Sequence, residues 1–185
     1  IETVLMLQPG IGGVNLEDLS QPKCFRILDT LREKAEIPVW HDDAQGTATV
    51  TLAGLINALK VVDKKPEDVS VSFVGSGASN VACSRLIFGW GVDPANCYMV
   101  DSQGILGAHR KDLEMRKADF VDKWKLCQTT NADGREGGIA ESMEGVDVVI
   151  ALSMPGPDVI KCDWVKRMNK DAIVFACANP VPEIW

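Results

Sequence analysis

The chain has 185 residues, of which 46% are hydrophobic and 24% are charged, and its formal net charge is -7. This composition is typical of a globular protein and excludes a disordered or fibrous one. The net negative charge argues against a nucleic-acid or anionic-membrane surface, because either surface requires clustered Lys and Arg residues.

No apolar run approaches the roughly 20 residues that a transmembrane helix requires. The sequence begins with Ile1 rather than Met, and its six cysteines show no C-x-x-C spacing. Such cysteines are predicted to be free thiols, which are typical of a reducing compartment. We therefore expect a soluble, cytoplasmic protein whose sequence is a piece of a longer chain.

In chain order, the N-terminal part predicts two helices with a short strand between them. Ser20 and Pro22 suit an N-cap and an early helical proline, which predicts a helix over residues 21–35. Residues 37–40 are predicted to form a short strand or an extended run. Apolar residues at helical spacing predict a second helix over residues 47–62.

In the rest of the chain, predicted strands alternate with predicted helices. The strands cover residues 69–74, 97–100, 146–152 and 173–177. The helices cover residues 78–90, 111–125, 139–143 and 158–168. This alternation predicts an α/β fold with a doubly wound parallel sheet.

The stretch VSFVGSGASNVACSRL places Gly75 and Gly77 between a predicted strand and a predicted helix. Glycines at such a turn allow the backbone to approach a pyrophosphate, which binds at the helix N-terminus. Asp101 follows the next strand, where an acid binds the adenosine ribose in dinucleotide-binding folds. The alternative is an ordinary turn with a surface acid. Asn80 departs from the glycine or alanine usual at the third position and is expected to shift the helix slightly.

The preferred dinucleotide depends on the charges near Asp101. A carboxylate repels the 2'-phosphate of NADP, and Ser102 and Gln103 add no positive charge, so the sequence favours NAD. NADP remains open because Arg110 or Lys111 can fold back towards the same position.

Two adjacent acidic pairs, Glu17 with Asp18 and Asp42 with Asp43, each come just before a predicted helix. Hard divalent cations such as Mg2+ and Mn2+ bind several carboxylate oxygens, and three of these acids can supply them. The structural alternative is that the acids cap the helices or interact with the helix dipoles. The spacing alone favours this structural interpretation.

Other polar residues also have two interpretations. His41 lies beside a strand end and is more typical of a structural histidine than of an acid, a base or a ligand. Asn179 follows the last predicted strand, where doubly wound sheets bind ligands, but Asn-Pro is equally a common turn. Ser153 follows another strand on the same side and is predicted to line the cofactor cleft.

Five motifs in order, GGVNLEDL, IPVWHDDAQGTA, VGSGAS, YMVDSQG and FACANPVPEI, resemble the malic enzyme family, particularly its bacterial-type members. The resemblance covers nearly the whole chain. It implies a Rossmann-type nicotinamide-binding domain over residues 47–185, preceded by the C-terminal part of a metal- and substrate-binding domain over residues 1–46.

The resemblance also implies roles for individual residues. Glu17, Asp18 and Asp43 match the ligands of a catalytic Mg2+ or Mn2+, and Asp42 matches a neighbouring carboxylate that supports catalysis. Asn179 matches an asparagine that contacts substrate or nicotinamide. The implied cofactor contacts are Gly75, Gly77, Ala78 and Asp101.

The implied reaction is the oxidative decarboxylation of L-malate to pyruvate and CO2 with reduction of NAD or NADP, by a homo-oligomer. The family's catalytic Tyr and general-base Lys lie upstream of the region that resembles this chain, so the isolated chain is expected to bind dinucleotide but to turn over malate poorly. Gly10 and Ile11 replace the family's more usual Thr-Phe. A malolactic enzyme and a non-catalytic dinucleotide-binding module are the alternatives.

Overall fold

The structure, a computed structural model, describes residues 1–185. Its eight α-helices are α1 (Glu2–Leu7), α2 (Lys23–Lys34), α3 (Thr47–Val61), α4 (Ala78–Trp90), α5 (Lys111–Met115), α6 (Val121–Thr129), α7 (Ile139–Ser142) and α8 (Cys162–Val165). Its seven strands are β1 (Val14–Leu16), β2 (Val39–His41), β3 (Val71–Val74), β4 (Cys97–Asp101), β5 (Gly104–Ile105), β6 (Val148–Ala151) and β7 (Ile173–Ala176). No helix combines the length and apolar character needed to cross a membrane.

The main sheet has five strands in the order β5-β4-β3-β6-β7. The strands β3, β4, β6 and β7 run parallel, as predicted. The outermost strand beside β4 is β5, which has two residues and is antiparallel. The sequence did not predict β5, because two residues are too few to show a strand period. The four parallel strands place all their carboxyl ends at one edge of the sheet.

Helices cover both faces of this sheet. In β6, Val148 and Ile150 join the core cluster formed with α3 and α4, whereas Val149 and Ala151 join a second cluster formed with residues around α7 and α8. Alternate strand residues point to opposite faces, so both sets are apolar only when both faces are covered. The predicted doubly wound α/β fold is confirmed.

A separate sheet of two parallel strands, β1 and β2, precedes the main sheet. Leu16 at the end of β1 pairs with His41 at the end of β2. A small apolar cluster, which includes Leu16, Leu28, Leu31 and Val39, packs this sheet against α2. The sequence predicted β2 but not β1.

Two predicted helices are wrong in extent. The helix predicted over residues 111–125 is two helices, because the chain turns at Arg116 to Phe120 and packs Phe120 against the core. The helix predicted over residues 158–168 is only α8. There the Ile160 N–H donates to the Glu183 carbonyl oxygen at 2.9 Å, a contact with a distant segment in place of a helical bond.

The predicted start of the first long helix also differs from the structure. The residue at the N-cap of α2 is Pro22, not Ser20, and no side chain caps this helix. The helix nevertheless covers most of the predicted range, because Cys24, Phe25, Leu28 and Leu31 bury one face.

The cysteines are as predicted. All six are free, four of them buried and two, Cys162 and Cys177, exposed. Burial raises the pKa of Cys83 to about 11 and that of Cys97 to about 12, which keeps both thiols protonated near neutral pH.

Candidate metal and dinucleotide site

The two acidic pairs follow the two strands of the small sheet. Because β1 and β2 are parallel and in register, Glu17 and Asp18 leave the sheet at the same end as Asp42 and Asp43. The Asp43 Oδ2 atom accepts a hydrogen bond from the Asp18 backbone N–H at 2.8 Å. The segments 17–18 and 42–43, called here the acid loops, are therefore in direct contact although they are far apart in sequence.

The carboxylates of Asp42 and Asp43 do not cap a helix. A π-helical turn, Asp42–Gly46, leads into α3, and its N-cap is His41, whose Nδ1 accepts a hydrogen bond from the Ala44 N–H at 3.2 Å. His41 is fully buried, in keeping with its structural interpretation. Neither aspartate therefore makes a capping hydrogen bond, although both lie in the first turn, where the helix dipole favours negative charge.

The acid loops have suitable chemistry for a hard cation but are not a preassembled cage. Glu17, Asp18 and Asp42 are exposed and Asp43 is half-buried. The Glu17 carboxylate accepts a hydrogen bond from Asn15 at 3.2 Å. No three acidic, His or Cys side chains lie close enough together to enclose a metal ion. The feature that suits Mg2+ or Mn2+ is thus the set of carboxylate oxygens, which lie on two accessible loops in contact with each other.

The glycine loop, residues 75–77, joins β3 to α4, which begins at Ala78. Gly75 has a φ of 96°, and a Cβ atom there would lie 2.7 Å from the Leu152 carbonyl oxygen, so only glycine fits. A Cβ atom at Gly77 would meet nothing within 4 Å. The loop is therefore packed against the chain on one side and open on the other, as a backbone that approaches a pyrophosphate requires.

Asn80 stands at the position of the third glycine in the usual dinucleotide-binding motif, and its side chain packs against the end of β3. Its side-chain Nδ2 donates to the carbonyl oxygens of Val74 and Gly75, both at 2.9 Å, and the residue is fully buried. The asparagine thus ties the start of α4 to the end of β3.

The acid loops contact the glycine loop and the first turn of α4. The Ser79 hydroxyl donates to the Asp43 carbonyl oxygen at 2.7 Å. The Gln21 side chain, which follows the first acid loop, donates to the Ser76 carbonyl oxygen. The candidate metal ligands and the candidate pyrophosphate loop therefore border one another.

The carboxylate of Asp101 is already engaged by positive charge. Arg110 is buried and donates to both Asp101 oxygens, at 2.9 and 3.2 Å, and Lys123 lies 3.6 Å away. The same arginine hydrogen-bonds Asp112 and lowers the pKa of that carboxyl to about 2. Arg110 thus folds back as anticipated, whereas Lys111 pairs with Glu114. This arrangement weakens the charge argument for NAD over NADP.

Ser153 and Asn179 follow β6 and β7 at the carboxyl edge of the main sheet, and both are exposed. This edge, next to the strands where the crossover direction reverses, is where doubly wound sheets bind ligands. The glycine loop packs against the same Leu152–Ser153 segment.

Comparison with known proteins identifies the family. The family model described as "Malic enzyme, NAD binding domain" matches residues 44–184. The chain belongs to the malic enzyme family. It is 42% identical to the NAD-dependent malic enzyme of Geobacillus stearothermophilus and 39% identical to the NADP-dependent malic enzyme of Halomonas elongata, in each case over 100% of this chain.

A solved malic enzyme structure has the same fold. The crystal structure of Entamoeba histolytica malic enzyme superposes with a TM-score of 0.93 at 52% sequence identity, covering 100% of this chain and 37% of that one. The chain also spans 36% of the Geobacillus stearothermophilus enzyme and 41% of the Halomonas elongata enzyme. It therefore corresponds to less than half the length of these malic enzymes.

One buried acid of this malic enzyme family member was not predicted from the sequence. Glu183 is fully buried, and its carboxylate accepts hydrogen bonds from Ser153 and from the Ala178 backbone N–H. A single acid within FACANPVPEI, after two prolines, carries no periodic signal. Only the pairing of β6 with β7 brings its partners together.

Proposed function

We propose that the chain supplies the metal ligands and the dinucleotide cleft of an enzyme that converts L-malate to pyruvate and CO2 while reducing NAD or NADP. The contact between the acid loops and the glycine loop is the observation that carries this proposal. Residues 1–46 would complete a metal- and substrate-binding domain, and residues 47–185 would form the NAD(P)-binding domain. The separate β1-β2 sheet supports this division.

Glu17, Asp18 and Asp43 would hold Mg2+ or Mn2+. Such an ion, when bound, acts as a Lewis acid on the hydroxyl and later the keto oxygen of the substrate. Asp42 and Asp43 are adjacent, and the Asp42 carboxylate is exposed beside the ligand set, so its negative charge helps to hold a cation there. The Asp18 N–H to Asp43 hydrogen bond keeps the two loops in contact.

The glycine loop and the carboxyl edge of the sheet would orient the dinucleotide. Gly75 lets the loop turn tightly, Gly77 leaves room for the pyrophosphate, and Ala78 opens α4, whose N-terminus attracts its charge. Asp101, held by Arg110, would take the adenosine ribose. Ser153 and Asn179 would lie on the nicotinamide side, where Asn179 would contact substrate or nicotinamide.

The charges around Asp101 favour neither NAD nor NADP. Asp101 and Asp112 carry negative charge, whereas Arg110 and Lys123 carry positive charge at the same position. We propose NAD as the first substrate to test and NADP as the second.

We further propose that the enzyme assembles as a homo-oligomer, as the family resemblance implies.

The test uses the full natural protein that contains this sequence, with Asp43→Asn compared with the matched control Asp68→Asn. Asp68 is an exposed acid before β3, at the opposite end of the sheet. Loss of a metal ligand should lower Mn2+-dependent kcat/KM for malate by about 100-fold and weaken Mn2+ binding. The control should remain within about twofold of wild type, as expected for a surface substitution.

Product analysis separates the alternatives. Pyruvate formed together with reduced dinucleotide supports the proposed reaction, whereas lactate without net reduced dinucleotide identifies a malolactic enzyme. NAD binding that is unaffected by Mn2+ and malate, with Asp43→Asn indistinguishable from wild type, would instead establish a non-catalytic module and refute the proposal.

A further inference from the structure

Glu183 is a buried carboxylate that bridges two loops. Its Oε1 atom accepts hydrogen bonds from the backbone N–H of Ser153 at 3.0 Å and from the Ser153 hydroxyl at 3.3 Å. Its Oε2 atom accepts a hydrogen bond from the Ala178 N–H at 3.0 Å. Each oxygen therefore holds a different loop, one after β6 and one after β7.

The charge of Glu183 is balanced by hydrogen bonds rather than by a counterion. None of the ion pairs in the chain includes Glu183, although the residue is fully buried. A buried carboxylate is costly unless donors surround it, so the N–H groups of Ser153 and Ala178 must remain aimed at it. The geometry of these two loops is consequently coupled through one side chain.

Both loops border the proposed dinucleotide cleft. The loop after β6 packs against Gly75, because a Cβ atom at that glycine would lie 3.0 Å from the Ser153 Cα. Ala178 immediately precedes Asn179 in the loop after β7. The backbone of the Glu183 segment also joins the first loop, through Gly156 N–H to the Val181 oxygen at 3.3 Å.

We infer that Glu183 is a positioning residue that holds the Ser153 loop and the Asn179 loop in the arrangement required for hydride transfer at the nicotinamide. This inference rests on the proposed function. No hydrogen bond or ion pair joins the Glu183 carboxylate to the acid loops or to Asp101, so it acts on the orientation of the nicotinamide end rather than on metal binding or on the adenosine end.

The test is Glu183→Gln in the full natural protein. An amide has one acceptor oxygen, so it can accept from Ser153 or from Ala178 but faces the other N–H with its NH2 group. We expect kcat for malate oxidation to fall about tenfold or more, with the KM for dinucleotide within about threefold of wild type. Hydrogen exchange should accelerate at the amides of Ser153 and Ala178.

The matched control is Asp147→Asn, which alters another buried acid, before β6, at the opposite edge of the sheet. It should lower Tm but leave kcat and KM unchanged below that temperature. If Glu183→Gln lowers Tm and keeps kcat within twofold, or if both variants lose kcat in proportion to Tm, Glu183 is merely structural and the inference fails.

Two further measurements keep the outcomes separate. If Glu183→Gln does not fold, Glu183→Asp retains the charge but shortens the reach, and the same split between kcat and KM is expected.

If the wild-type protein does not oxidise malate, the proposed function fails, and the inference is then decided by the fluorescence of bound NADH. Nicotinamide fluorescence altered by Glu183→Gln but not by Asp147→Asn supports it, and unchanged fluorescence overturns it.

Discussion

The main sheet has an amino edge, where its parallel strands begin, and a carboxyl edge, where they end. The acids at these two edges differ in their hydrogen bonds. At the amino edge, the Asp147 carboxylate accepts hydrogen bonds from Lys64 at 2.9 Å, from the N–H and hydroxyl of Ser70 at 3.0 and 2.9 Å, and from Asn169 at 3.1 Å. Every one of these donors precedes a strand. The Asp147 carboxylate at the amino edge is therefore hydrogen-bonded entirely by groups of the chain itself.

At the carboxyl edge, several groups are accessible to a ligand. Asn179 is exposed, Gly77 faces open space, and the acid loops nearby are accessible. Ser153 is exposed as well, although its N–H and its hydroxyl donate to Glu183. Glu183 is the exception, since it is as completely hydrogen-bonded as Asp147 but connects loops that border the cleft. From this difference we expect the amino edge to stabilise the fold and the carboxyl edge to bind the ligand.

The largest expected effect is that of Gly75→Ala at the carboxyl edge. The methyl group would meet the Leu152 carbonyl oxygen at 2.7 Å in a backbone with a φ of 96°. We expect a loss of about 3 kcal/mol in the free energy of unfolding and about 100-fold weaker NAD binding. Urea unfolding and calorimetric titration with NAD measure the two effects.

Gly77→Ala serves as the matched control for Gly75→Ala. Its φ of -71° suits any residue and its Cβ atom would meet nothing within 4 Å, so stability should change by less than about 0.5 kcal/mol. NAD affinity should still fall about tenfold, because the methyl group occupies the space of the pyrophosphate. Equal effects of the two substitutions on stability would contradict this account of the loop.

The next effect is that of Asp147→Asn at the amino edge. Removal of this charge should cost about 2–3 kcal/mol of stability, because its partners include Lys64 and a buried strand end. NAD binding should be unchanged. A clear loss of NAD affinity without a loss of stability would remove the distinction between the two edges.

The contribution of Asp147 should also depend on pH. Burial alone raises the pKa of Asp147, but the hydrogen bonds from Lys64, Ser70 and Asn169 outweigh burial and leave the pKa lowered. A lowered pKa in the folded state means that the stabilisation is complete above the unfolded value of about 3.9 and is lost as the pH falls below it. The difference in unfolding free energy between wild type and Asp147→Asn should therefore be constant from about pH 5 to 8 and shrink below about pH 4.

The smallest effect concerns the two exposed thiols. Cys177 directly follows β7 at the carboxyl edge, whereas Cys162 begins α8. Although Cys177 is exposed as a residue, partial burial of its thiol and the nearby Glu183 carboxylate raise its pKa, so alkylation at neutral pH should be slower there than at Cys162. NAD should slow the labelling of Cys177 by about threefold or more without affecting Cys162, as peptide mass spectrometry can measure. Equal protection of both thiols would argue against NAD at this edge.

The sequence predicted the main sheet because its signals are local. Residues 69–90 show a strand, a glycine turn and a helix in succession, and the structure has β3, the glycine loop and α4 there. The free thiols and the position of Asp101 at the end of β4 followed from the same patterns. These features depend on periodicity and turn chemistry within one short segment.

The contacts that build the candidate site are not local and could not be predicted in this way. The strand β1 has three residues, too few for a strand period, yet its pairing with β2 is what joins Asp18 to Asp43. The bridge made by Glu183 likewise depends on two neighbouring strand ends. The sequence supplied the candidate acids, and the resemblance to malic enzymes supplied their roles, which stay predictions.

The most direct test of the account is whether the acid loops and the nicotinamide end of the cleft form one site. Bound Mn2+ speeds the NMR relaxation of nearby protons, so the protein is titrated with Mn2+ in the presence of NAD. We predict stronger relaxation of the nicotinamide protons than of the adenine protons, and loss of this difference in Asp43→Asn. Equal relaxation of both rings, with Mn2+ and NAD both bound, would contradict a shared site.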